Sequence, residues 1–123
     1  MLTETKLTAR LVKAWREAGG EILNIMGGGY MQAPGWPDVF VCHKLWSGWL
    51  EIKGPKTKIQ PTQERIIKAL SVTQNAWIVR IVHQDSNQWT FDILGSGSTP
   101  LSIVGTDGFV AISLLKELAR LGI

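Results

Sequence analysis

Asp38, Glu51 and Lys53 are the residues of this chain whose types and spacing suit chemistry. Pro37-Asp38 is followed thirteen positions later by Glu51, and Glu51-Ile52-Lys53 completes the pattern. Alternate side chains of a strand share a face, so Glu51 and Lys53 project together while Leu50 and Ile52 point the other way. In a hairpin whose paired residue numbers sum to about 89 or 90, Asp38 comes within cross-strand reach of Glu51. Two carboxylates so placed raise each other's pKa unless a cation lies between them. Hard oxygen donors suit Mg²⁺ or Mn²⁺, ions that keep several waters and are completed by phosphate oxygens. A phosphodiester is then the natural substrate. The metal would polarise it and acidify a bound water, and Lys53 would orient that water or stabilise the developing charge. Taken singly, each motif has an ordinary reading: Glu-x-Lys as a solvated ion pair, Pro-Asp as a turn.

The elements that must hold these residues follow from periodicity. Leu7, Leu11, Ala14, Trp15 and Ala18 recur at helical spacing over residues 3–18, and Gly19-Gly20 is a stop. A short strand is predicted over Glu21 to Met26, then a long loop over 27–35 that is rich in glycine and proline. Asp38 to Cys42 and Gly48 to Lys53 read as an antiparallel hairpin. Pro61 opens a helix with Ile66, Ile67 and Leu70 as its apolar stripe. Ala76 to Val82 is an apolar strand broken by Arg80, and Gln88 to Leu94 an alternating outer strand. Gly95 to Pro100 is linker-like, and Val110 to Leu121 closes the chain as a helix. The 123 residues fit one domain with one core, of α/β class: a mixed sheet covered by helices.

Pro37-Asp38 and Glu51-Ile52-Lys53 together resemble the PD-(D/E)xK nuclease signature of the restriction-endonuclease-like fold. The wider pattern is most similar to the virus-type replication-repair nuclease (VRR-NUC) domains and the archaeal-type Holliday junction resolvases. It includes a Glu-bearing first helix, Gly19-Gly20, Gly35-Trp36-Pro37-Asp38, Glu51-Ile52-Lys53-Gly54 and Gln60-Pro61-Thr62-Gln63, and spans residues 3–82. The resemblance implies that Asp38 and Glu51 bind a divalent metal, that Lys53 assists the attacking water, that a first-helix Glu completes the site and that Gln63 lies close by. Among the glutamates, Glu4 falls within about 20° of Leu11 and Trp15 on the helix circumference and so shares the packing face. Glu17 points away, to solvent, and Glu21 is an outsider. For Glu4 two roles stay open, site ligand or a first-turn acid favoured by the helix dipole behind a Thr3 cap.

The net charge of +3 is unevenly spread. Residues 1–43 are balanced, residues 44–68 carry six basic groups against two acidic, and the remainder is slightly acidic. Lys44, Lys56 and Lys58 are therefore candidate phosphate contacts, which position DNA without reading its sequence. Tyr30, Met31 and Trp36 cluster nearby; Tyr30 and Trp36 are candidates to stack on bases. Trp46 is a further loop candidate for substrate or interface, whereas Trp15 and Trp49 are assigned to the core.

Several chemistries are excluded. The single cysteine, Cys42, rules out an internal disulfide; it is expected buried and inert, and a cytoplasmic setting is the default. His43 and His83 lack metal-ligand spacing, no Gly-x-Ser-x-Gly elbow occurs, and Gly54-Pro55-Lys56-Thr57 is not a phosphate-binding P-loop, so no nucleotide cofactor is indicated. No apolar run approaches the roughly 20 residues of a membrane span. The expectation is a Mg²⁺- or Mn²⁺-dependent DNA endonuclease, acting as a homodimer on branched DNA such as a Holliday junction. A flap, nicking or exonuclease-like repair nuclease and a noncatalytic DNA-binding module are the alternatives.

Overall fold

The computed structural model describes residues 3–24 and 35–122. Helix α1 (Glu4–Glu17) is followed by strands β1 (Glu21–Asn24), β2 (Val39–Cys42) and β3 (Ser47–Lys53), then α2 (Pro61–Ser71). Strands β4 (Ala76–Asp85), β5 (Gln88–Ile93) and β6 (Leu101–Val104) and helix α3 (Asp107–Leu121) complete the chain. The strands form one sheet in the order β1-β2-β3-β4-β5-β6. All neighbours are antiparallel except β3 and β4. A parallel pair needs a long crossover, and α2 supplies it. The result is an α/β mixed sheet flanked by three helices.

Strand alternation divides the sheet into two faces. Leu50 and Ile52 of β3, Val79 and Ile81 of β4, and Trp89 and Phe91 of β5 meet Leu7, Leu11 and Trp15 of α1 and Val110, Leu114 and Leu118 of α3 in the main core. Ile66, Ile67 and Leu70 of α2 cover Ala76 and Ile78 on the opposite face, with Trp49 packed against them. Helices α1 and α3 are tied by the Trp15 Nε1 donor to Ala111 O at 2.9 Å and by a two-pronged Arg10–Asp107 pair at 2.7 and 2.9 Å. The Arg10 guanidinium also lies 4.9 Å from the Trp89 ring centre, a cation–π contact.

Four expectations change. Residues 101–104, which follow the linker-like segment, form the edge strand β6, paired to β5 with Phe91 opposite Leu101. Leu101 and Ile103 face inward, but four residues are too short for alternation to announce a strand. Helix α3 begins at Asp107, where Thr106 accepts the Phe109 N–H as an N-cap ahead of the apolar run. Trp46 is not a surface aromatic: it is 5% exposed and belongs to the main core. Cys42 is exposed, because it shares the sheet face of Phe40, which α2 covers only in part. The predicted end of the first strand at Met26, most of the loop over 27–35, and Tyr30 and Met31 lie outside the described residues.

Candidate functional site

The hairpin register decides which groups meet. Val39 pairs with Leu50 and Phe40 with Trp49, a sum of 89 in each case. One further step sets Asp38 opposite Glu51, on the face that α2 covers. The Glu51 side chain is hydrogen-bonded to that of Asp38. Glu51 is 1% exposed and Lys53, two residues on along the same face, is 6% exposed. The Glu51 carboxyl is raised from 4.5 to about 9, first by burial and then by the hydrogen bond and negative charge of Asp38. The positive charge of Lys53 opposes the shift, and Glu4 adds slightly to it. A hydrogen bond between two carboxyls needs a proton, and the raised Glu51 carboxyl keeps one.

Helix α2 delivers Gln63. Its Oε1 accepts the Gln60 N–H at 2.9 Å, which closes the first turn of the helix, and its Nε2 donates to Glu51 Oε1 at 3.4 Å. One side chain thus caps α2 and reaches the acid pair. Gly35 allows α2 to come this close: its φ is +85°, and a Cβ there would sit 2.4 Å from Thr62 Cγ2.

Glu4 arrives from the other layer, over the end of β3. Thr3 caps α1 by accepting the Lys6 N–H at 3.3 Å, and the Glu4 carboxylate Oε1 accepts the Gly54 N–H at 2.7 Å. Glu4 therefore stands in a capped first turn, and its carboxylate lies on the amide that follows the strand carrying Glu51. Glu17 is exposed beside Lys13, and Glu21 is exposed on β1. Among the described residues no three His, Cys, Asp or Glu side chains form a group able to hold a metal. Asp38 and Glu51 stand as a pair, with Glu4 on the Gly54 amide.

The pair nevertheless fits a divalent ion. Its donors are hard oxygens, and a cation in place of the shared proton would relieve the repulsion that raises Glu51. Asp38 and Glu51 would hold that ion.

Of the remaining candidates, Lys56 and Lys58 are exposed on the segment leaving β3. Trp36 is 39% exposed and meets Trp49 edge-on with ring centres 6.0 Å apart; Phe40 packs on the same indole at 4.8 Å. Lys44 lies in the β2–β3 turn, at the opposite end of β3 and so roughly 20 Å from Lys53 along the strand. It does not join the group. His43 is buried and structural, with Nδ1 taking the Leu45 N–H and Nε2 on Ala18 O. A cleft of about 570 Å³ between α2 and the β4–β5 side, lined by Ile59, Ile67, Trp77 and Leu94, contains none of the candidates.

The sequence reading missed Arg80. It stands beside Lys53 in the β3–β4 register and donates from Nη1 to Gly54 O at 2.6 Å and Thr57 O at 2.8 Å. Its only signal was a cation interrupting an apolar strand. Compared with family models, curated proteins and solved structures, the chain matches none.

Proposed function

We propose that this protein is a Mg²⁺- or Mn²⁺-dependent endonuclease that hydrolyses DNA phosphodiesters. The observation that carries the reading is Glu51, buried against a half-buried Asp38 and beside Lys53 at the end of β3, where α2 begins. A bound ion would supply Lewis acidity toward a phosphate oxygen and acidify a water. The chain's own groups do the rest. Gln63 restrains the Glu51 carboxylate, Lys53 orients the attacking water and offsets charge that develops on the phosphate, and Lys56 and Lys58 hold flanking phosphates. Trp36, beside Asp38, offers a face to an unstacked base, which favours branched DNA such as a four-way junction. Two symmetric cuts across such a junction call for a homodimer.

The test is to incubate the protein with labelled junction, flap, duplex and single-stranded DNA, in Mg²⁺ and in EDTA. Metal-dependent cutting of the junction into paired nicked duplexes is expected. Cutting of flaps in preference to junctions would reassign the substrate, and junction binding without cutting of any substrate would leave a DNA-binding module.

A further inference from the structure

We propose that Arg80 is a positioning residue, which clamps the Gly54–Thr57 turn so that Glu4 and the basic segment after β3 are held in register with the acid pair. The proposal rests on the nuclease reading for its consequence, though not for its geometry. Arg80 is half-buried on the sheet face that carries Ile78 and Lys53, where a cation needs specific partners. Its partners are two backbone carbonyls that no strand can satisfy: Gly54 O at 2.6 Å and Thr57 O at 2.8 Å. The turn's own bond, Thr57 N to Gly54 O, is long at 3.4 Å, so the guanidinium is the stronger closure. Asp92 on β5 stands opposite Arg80 in the β4–β5 register.

Gly54 is thereby gripped on both sides. Arg80 takes its carbonyl, and its N–H, which belongs to the peptide following Lys53, holds Glu4 at 2.7 Å. A Cβ at Gly54 would lie 3.3 Å from both Glu4 Cβ and Thr57 Oγ1, so the three residues pack as one unit. Lys56 sits inside the clamped turn and Lys58 one residue beyond it, both exposed. The direction in which these lysines point, relative to Asp38 and Glu51, is therefore set from β4. A neutral amide could satisfy two carbonyls as well; an arginine also places a second cation next to Lys53, where an anionic backbone would arrive.

Arg80→Met and Arg80→Lys test this by two independent readouts. The first is limited trypsin digestion of the folded, metal-free protein, with nicks after Lys56 and Lys58 quantified by mass spectrometry. The second is kcat and KM on a synthetic four-way junction in Mg²⁺. Arg80→Met is expected to speed nicking roughly tenfold and to lower kcat about tenfold or more, with a smaller rise in KM. Arg80→Lys should fall between Met and wild type, and it carries both readouts should Arg80→Met fail to fold. Combining Arg80→Met with Glu4→Gln should cost less than the product of the two single losses, since both act through Gly54. Unchanged nicking in a folded variant overturns the clamp, and faster nicking with unaltered kcat and KM overturns its role at the site. Should wild type cut no DNA, the nuclease reading falls by itself. Nicking together with junction affinity by anisotropy then decides the clamp: both changed in Arg80→Met supports it, and either unchanged overturns it.

Discussion

A carboxyl sealed beside another carboxyl is the feature from which most of the chemistry follows. Glu51 keeps its proton to about pH 9 in the folded chain, whereas its ordinary value is 4.5. Between those limits the unfolded state ionises and the folded state does not, so rising pH favours unfolding. The metal-free protein is therefore expected to lose stability from about pH 5 to pH 9, by at most about 1.4 kcal/mol per pH unit. Glu51→Gln should flatten that decline, as should added Mg²⁺. Denaturant midpoints across this range give the measurement, and parallel curves for wild type and Glu51→Gln would contradict the shared-proton arrangement. Asp38→Asn and Lys53→Ala should each reduce cleavage at least a thousandfold, about 4 kcal/mol in the transition state, while junction binding by gel shift stays within a few-fold. Cutting at the wild-type rate by either variant would remove that residue from the site.

At the scale of elements, the site is where α1, the β2–β3 hairpin and the start of α2 converge. None of these is placed by its own propensity alone. Helix α1 is held to α3 by the Arg10–Asp107 pair and to β5 by the contact of Arg10 with Trp89. Arg10→Met is expected to cost about 1–2 kcal/mol and lower the thermal midpoint by several degrees; an unaltered melting curve would show the pair to be incidental. Gly35→Ala meets a harder limit, since its Cβ would fall 2.4 Å from Thr62 Cγ2 and its φ is left-handed. That substitution should destabilise by about 1–3 kcal/mol and move Gln63 away from Glu51. Activity should therefore fall even at temperatures where the variant is fully folded, and a variant as active as wild type there would show that α2 need not sit so close. The hairpin was legible as a sequence because Asp38 to Cys42 is a short apolar run, Gly48 to Lys53 is strand-like and the connection between them is short. Strand β6 was not, since four residues, with only Leu101 and Ile103 inward, are too short a pattern and become a strand by pairing with β5.

Across the whole molecule, charge separates into a basic middle segment and a nearly neutral scaffold. The structure splits that segment further: Lys56 and Lys58 leave the site end of β3, while Lys44 occupies the far turn. Junction affinity should fall steeply with salt as counterions are released. Lys56→Ala with Lys58→Ala should lower the slope of log affinity against log salt by about 2, and Lys44→Ala by less than about 1. Equal effects from both ends of β3 would mean that the DNA spans the entire strand. Junction resolution further requires a dimer, so sizing at micromolar concentration should return twice the 13.6 kDa of one chain, and a monomer would favour the flap or nicking alternative.

The residue types of the site, their strand faces and the hairpin that joins them follow from sequence alone, because period-two alternation and a short turn are local properties that fix which side chains share a face. Tertiary structure decided what local pattern cannot carry. It chose Glu4 over Glu17 and Glu21 as the glutamate at the end of β3, withdrew Trp46 into the core and left Cys42 on the surface. It also brought Arg80 from a distant strand onto the turn after Lys53. Each of these depends on which layer covers which face, and that is settled by packing between segments far apart in the chain.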